Sequence, residues 1–359
     1  MSGFNPEKPK ENITPPQEKI PEEFDIGFQT EGYYEPNEDV IFVNSDMGFF
    51  GVFDGAGGLA AGEKASRAAM DCIAKKARDK LVEGLSFEET KAKLSQIFSE
   101  ADKRVSSLAV GENKGMMTTA CAVKIWEGSK GEKKAIVANV GDSRAYILHN
   151  NGWLELVTLD DGMIRKGIPN EQKARLMQDK LNNVVSEEEL SSDLERVCFA
   201  QRHLISQALG KGNVVPRIHS AYVAEGGKII ITSDGIHDNL TDKEIAEIAR
   251  ASNGSQSVAE ELIRRACERS KEDHPRAKPD DMSAIVVGIP VSLEQWHEGN
   301  PVTVRRSSGQ IESDWTVESF DKKSGIVTVA KQDIEDGKTL RKKLLASELA
   351  KLNPKEKRK

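Results

Sequence analysis

The chain has 359 residues, 38% of them hydrophobic and 30% charged, with a formal net charge of −7. That length accommodates one large domain and a small one, and the acidic balance argues against a general grip on nucleic acid, which needs a basic face. Cys72, Cys121, Cys198 and Cys267 form no Cys-x-x-Cys pair. No apolar run reaches the roughly 18 residues of a membrane span, so a soluble, cytoplasmic protein with lone thiols is expected.

Met1 to Glu23 carries Pro6, Pro9, Pro15, Pro16 and Pro21 among Lys and Glu, without an apolar signal core. Residues 1–23 therefore read as a disordered arm, with order beginning near Phe24. Val40–Val43 and the run ending at Asp54 read as strands. Ala65, Ala68, Ala69, Cys72, Ile73, Ala77 and Leu81 then mark one face of a helix. Ser86-Phe87-Glu88-Glu89 is a capping box, so a second helix runs to about Leu108. Thr118–Trp126 and Lys134–Leu148 read as strands, the second broken at Gly141-Asp142.

Residues 160–200 are rich in Lys, Glu, Asn and Ser and read as a mobile flap with few apolar anchors, holding a short helix capped by Ser186. Thr241-Asp242-Lys243-Glu244 and Ser257-Val258-Ala259-Glu260 predict helices near 242–251 and 258–272. Helices paired between groups of strands indicate an α+β class. Residues 24–290 form this large domain. Beyond Pro290, Val302–Arg306, Trp315–Phe320 and Ile326–Ala330 belong to about five short strands. Residues 293–355 thus suggest a small SH3-like β-barrel closed by a helical stretch from Leu340 to Leu352. Trp315 and Phe320 are expected in its core, with partner recognition as the competing reading. The basic tail Lys355–Lys359 reads as a solvated end.

Four apolar runs bring an acid to a strand terminus: Phe49–Asp54, Ala135–Asp142, Ile229–Asp234, and Ser283–Ile289 preceded by Asp280-Asp281. Asp-Gly alone is a common turn dipeptide. Four such junctions in one domain instead point to a site that gathers carboxylates. Acids and carbonyls without His or Cys partners suit Mg²⁺ or Mn²⁺ and not zinc. Two such ions about 3.5–4 Å apart activate a bridging water and clamp a phosphoryl group. Asp54, on the tightest turn, is the natural bridge, and Gly55 offers its carbonyl. Asp234 and Asp280 are the best outer ligands, with Glu38-Asp39 a further acidic pair. Gly55-Ala56-Gly57-Gly58-Leu59-Ala60 also fits a dinucleotide G-x-G-x-x-A pattern. A second helix follows where a strand is required, and Asp54 would repel a pyrophosphate, so that reading is rejected.

Several motifs in order resemble the metal-dependent protein phosphatases, the PPM family of serine/threonine phosphatases, in its bacterial form. They are Asn37-Glu38-Asp39, Val52 to Gly58, Met117 to Ala120, Asn139 to Arg144, Ser206 to Gly210, Thr232 to Gly235 and Asp280 to Ser283. The likeness covers roughly residues 24–290. It implies a four-layer α-β-β-α sandwich of two antiparallel sheets flanked by helix pairs, with metals at one end. It also implies direct attack of a metal-bridging water on phosphoserine or phosphothreonine in proteins. On this resemblance Asp54, Asp234 and Asp280 are the catalytic acids and, with Asp39 and the Gly55 carbonyl, the metal ligands. Glu38 acts through water, and Asp142 and Asp238 match acids that hold a weaker third ion. Asp142 is alternatively a turn residue paired with Arg144.

Three positions depart from the family pattern. Ala56 stands where eukaryotic relatives carry His, and Asp281 where Asn is usual. Tyr34 replaces the arginine that grips phosphate, leaving a phenol that donates one hydrogen bond. Arg202 and Arg165 near the flap are weaker candidates for that grip. His237 reads as a ring near the site, not a ligand. The alternative is a weakly active or inactive phosphatase-like regulatory protein.

Overall fold

The computed structural model describes residues 24–352 apart from 57–60, 130, 253, 291–297, 307, 322–325, 333–337, 346–348 and 350–351. The expected arm over 1–23 and the basic tail lie outside the described residues, as do Gly57 and Gly58. Two antiparallel sheets dominate. One has the order β1 (Asp25–Glu31), β11 (Met282–Gly288), β10 (Lys228–Thr232), β7 (Arg144–Leu148), β8 (Leu154–Leu156). The other runs β2 (Asp39–Asn44), β3 (Phe49–Ala56), β5 (Ala120–Glu127), β6 (Lys133–Val140), β9 (Arg217–Tyr222), and a short β4 (Met117–Thr118) pairs with the end of β3.

Alternation along each strand divides the core into three. On β3, Phe49 and Phe53 turn toward helices α1 (Ala61–Lys80) and α2 (Phe87–Leu108), where they meet Ala65, Ile73, Leu94 and Phe98. Phe50 and Val52 point the other way and meet Ile231, Ile285 and Val287 of the first sheet. Ile230, Ala284 and Val286, on the opposite face of that sheet, pack on α7 (Asp242–Ala251) and α8 (Ser255–Arg269). A period of two thus lets each strand serve two cores at once. Strands buried on both faces carry their polar residues at their ends, which is where the acids appear.

The capping boxes at Ser86 and Thr241 form as expected, with both reciprocal hydrogen bonds present. The one read at Ser257 does not. Helix α8 starts three residues earlier than expected, at Ser255, behind Gly254 with φ 85°. Its N-terminus is capped across the fold by Asp25 of β1, which accepts from the Ser255 N–H at 2.8 Å and the Ser255 hydroxyl at 2.9 Å.

Residues 160–200 differ from the expected sparse flap. They fold into α3 (Met163–Gly167), α4 (Glu171–Asn182) and α5 (Asp193–Ala200), with a 3₁₀ turn at Glu187–Glu189 closed by the Ser186 capping box. Leu159, Ile164, Ala174, Leu181, Val184, Leu190, Cys198 and Phe199 form a small core of their own. Those residues are spread over short helices, so their shared face is hidden in a polar sequence.

The C-terminal residues form an antiparallel meander of β12 (Pro301–Arg305), β13 (Ile311–Asp321), β14 (Ile326–Gln332) and β15 (Thr339–Leu345). Trp315 is buried with Val302, Val304, Val317, Val327, Val329 and Leu349, and Phe320 packs against them. The stretch expected to be helical from Leu340 is strand as far as Leu345. Ladder pairing with β14, from Gln332↔Thr339 to Ile326↔Leu345, overrides the helix propensity of its Leu and Lys residues. No described helix is long and apolar enough to cross a membrane.

Candidate metal centre

Asp39 and Asp54 lie opposite each other in the β2–β3 register, which brings two carboxylates to one end of the second sheet. The Asp54 backbone is fixed from three directions. Its carbonyl accepts from the Thr118 hydroxyl and the Thr119 N–H, each at 2.8 Å, and its N–H donates to the Thr119 hydroxyl at 3.2 Å. Asp234 opens α6 (Asp234–His237) directly after β10, and Asp280 precedes β11. Both Asp-Gly junctions need glycine because backbone crowds against them. A Cβ at Gly55 would stand 2.2 Å from the Gly62 carbonyl oxygen, and one at Gly235 would stand 2.1 Å from that of Asp281.

Asp54, Asp142, Asp234 and Asp280 line one open cavity of about 680 Å³, together with Glu38, Tyr34, Gly55 and Lys278. Asp39 sits behind this lining, where its Oδ2 accepts from the Ser233 hydroxyl at 2.7 Å. Asp238 sits behind it on the other side, in a smaller pocket with Arg144, Arg202 and Arg276.

The carboxylates repel one another strongly. Burial, then Asp234, Asp39, Asp280 and Asp142, holds the Asp54 carboxyl well above the ordinary range. Burial outweighs the hydroxyl donors at Asp39 and raises it to about 8. Asp280 is raised to about 6 by burial and Asp234, despite Lys278. Asp142 is raised well above its usual value by burial and Asp234. Glu38 is raised by burial and Asp281. Buried Oδ1 atoms of Asp39 and Asp234 have no hydrogen-bond partner. Buried anions with orphaned oxygens call for a cation, and a set of carboxylates with one glycine carbonyl suits Mg²⁺ or Mn²⁺.

One cation is already supplied by the chain, and the sequence reading missed it. The Lys278 ammonium contacts Asp234, and reaches Asp238 and Asp280 at 3.0 Å each. Burial works against its charge, but Asp234, Asp238 and Asp280 overcome that and raise its pKa. Among the described residues, no three acidic, imidazole or thiol groups close on a single point as a ready-made ion cage would. The Asp39–Asp54–Gly55 side fits an oxygen-seeking divalent ion. On the Asp234–Asp280 side an ion and the ammonium would compete.

Other sequence candidates resolve individually. Asp142 does not pair with Arg144, which instead grips Asp160 through Nη2 at 2.7 Å and Nε at 3.1 Å. His237 is fully buried, with Nδ1 3.0 Å from the Thr232 hydroxyl, and burial drives its pKa well below normal. Asp281 does not line the cavity. Its Oδ1 accepts from the N–H groups of Tyr33 and Tyr34 at 2.7 and 2.9 Å, and its Oδ2 from that of Glu38 at 2.7 Å. Tyr34 is about half exposed at the cavity mouth, its ring against Tyr33. Arg202 stacks on Phe199 with Nε 3.6 Å from Asp238, and Arg165 lies outside the cavity lining near Glu171. The four cysteines are unpaired.

Residues 30–160 match the family model for protein phosphatase 2C. The chain is 23% identical over 258 residues to probable protein phosphatase 2C 28 of Arabidopsis thaliana, covering 70% of this chain and 66% of that one. It is 26% identical over 255 residues to the serine/threonine protein phosphatase PstP of Mycobacterium tuberculosis, covering 70% of this chain and 42% of that one. Its fold superposes on the PstP catalytic domain solved with two manganese ions, with a TM-score of 0.56, 23% identity and coverage of 75% and 99% of the two chains. The match to the protein phosphatase 2C model covers about a third of the chain, and the likeness to these relatives and solved structures extends over about 70–75% of it. The chain spans about two thirds of the length of the plant relative and less than half of PstP.

Proposed function

We propose that this chain removes phosphate from phosphoserine and phosphothreonine in proteins at a centre that holds Mg²⁺ or Mn²⁺. The observation that carries this is the convergence of buried Asp39 and Asp234 with half-buried Asp54 and Asp280, whose mutual repulsion, with the orphaned oxygens of Asp39 and Asp234, demands positive charge. A pair of divalent ions, when bound, supplies the acidity that makes water a nucleophile at neutral pH.

Asp54 would hold both ions, the Gly55 carbonyl and Asp39 one of them, and Asp234 with Asp280 the other. Glu38 would act through ordered water, with Asp142 and Asp238 available to a third, weaker ion. The Tyr34 hydroxyl at the cavity mouth would donate a single hydrogen bond to substrate phosphate. Direct attack by water follows from an ion-held nucleophile; no cysteine lines the cavity among the described residues, and of the histidines His203 lines it while His237 is buried. The three stacked cores are what a four-layer α-β-β-α sandwich needs, and we read residues 24–290 as that unit. The C-terminal meander over residues 293–355 we read as a small SH3-like module for a protein partner.

A panel of phosphoserine, phosphothreonine and phosphotyrosine peptides, assayed for phosphate release with Mn²⁺, with Mg²⁺ and with chelator, tests the reading. Metal-dependent turnover of the first two supports it. Ion binding without turnover of any peptide would leave a regulatory scaffold.

A further inference from the structure

Lys278 is placed by more than its own reach. Its backbone is clamped to the end of α6 by a reciprocal pair with the fully buried Asn239: the Lys278 N–H donates to Oδ1 at 2.9 Å, and Nδ2 donates to the Lys278 carbonyl at 2.8 Å. Two residues earlier, buried Arg276 donates to the carbonyls of His237 and Asp238 at 2.8 and 3.2 Å. Pro279 follows and restricts the chain further. The segment is therefore pinned along the same short helix that begins at Asp234 and is followed by Asp238. From that base the ammonium meets three carboxylates from two elements. A surface lysine that fell there by chance would need neither the clamp nor three acids within reach.

We propose that Lys278 is a built-in competitor for the divalent ion on the Asp234–Asp280 side, so that the ion enters only as the ammonium leaves. This rests on the metal-centre reading above and adds a control to it: the lysine, not the acids alone, sets how much metal the centre requires. Two cations cannot share these oxygens at contact distance, and the tether gives the lysine a high local concentration. With the ammonium in place nine-tenths of the time, the apparent affinity for that ion falls about tenfold.

Calorimetric titration of the full chain with Mn²⁺ alone tests this, comparing wild type with Lys278→Met and Lys278→Arg. The expected result is one Mn²⁺ equivalent bound at least about tenfold more tightly by Lys278→Met, with Lys278→Arg close to wild type. Equal Mn²⁺ affinities in wild type and Lys278→Met overturn the proposal. Wild type also reports without substitution, through acetylation of Lys278 by an amine-reactive reagent, read by mass spectrometry. Mn²⁺ should raise labelling at Lys278 several-fold by releasing the ammonium, and unchanged labelling while calorimetry records bound Mn²⁺ overturns the proposal even if a variant fails to fold. Absence of Mn²⁺ binding by every chain overturns the metal centre itself and this inference with it.

Discussion

The carboxylate of Asp281 accepts the backbone N–H of Glu38 at 2.7 Å, tying the strand that follows the metal-side acids to the loop that leads into β2. With the N–H groups of Tyr33 and Tyr34 on its other oxygen, Asp281 organises the whole 33–38 turn at the cavity mouth. The extra negative charge beside Asp280 is thus spent on amides. Asp281→Ala leaves three donors without their acceptor and should lower stability by about 3 kcal/mol, measured by urea unfolding. Asp281→Asn retains one acceptor oxygen and should fall between the two.

Arg276 is buried and donates to the carbonyls of Leu181, Val184, His237 and Asp238, joining the helices of residues 160–200 to the helix that carries Asp234. Arg276→Met orphans those carbonyls and should cost on the order of 3 kcal/mol or more in denaturant unfolding. Arg276→Lys should recover only part of this, since an ammonium cannot span the same acceptors.

Tyr34 offers phosphate one neutral donor. Tyr34→Arg should lower KM for a phosphothreonine peptide by about tenfold, through a charged pair to the phosphate, with kcat little changed. Tyr34→Phe should raise KM modestly. Steady-state kinetics at saturating Mn²⁺ distinguish the two.

The raised Asp39 carboxyl makes metal-free stability depend on pH. Unfolded aspartate loses its proton near pH 4, whereas the folded group keeps it to about 8. The folded state binds the extra proton in this window, so stability is lost as pH rises through it, by at most about 1.4 kcal/mol per pH unit, and levels off above 8. His219 acts oppositely. Burial and Arg175 lower it to about 4, so its contribution is lost as pH falls from about 6.5 toward 4. Between pH 7 and 8 His219 no longer contributes, and Asp39 acts in the same direction as Asp54 and Asp142, whose carboxyls burial and neighbouring acids also raise. Chemical unfolding in chelator should show the decline there, and Asp39→Asn should make it shallower.

Asp54, Asp234 and Asp280 were legible because an acid at the end of a doubly buried strand interrupts an apolar run. Lys278 left no such mark: it lies in a polar loop without periodicity, and two of its three acidic partners, Asp234 and Asp238, lie about 40 residues away at the two ends of α6. The role of Asp281 was equally hidden, since its three donors lie more than 240 residues away in sequence. The start of α8 was misplaced for the same reason, as its cap comes from Asp25. Leu340–Leu345 carried no signal that separates helix from strand, and only its neighbour β14 decides it. Local patterns announce themselves, whereas long-range hydrogen bonds do not.

Hydrolysis of p-nitrophenyl phosphate by wild type and Asp54→Asn, in chelator and then with Mn²⁺, tests the central claim most directly. The account predicts turnover by wild type that appears only with Mn²⁺ and is lost by at least about a hundredfold in Asp54→Asn, which removes a charge that would hold the ions. Turnover that persists in chelator, or survives intact in Asp54→Asn, would contradict it.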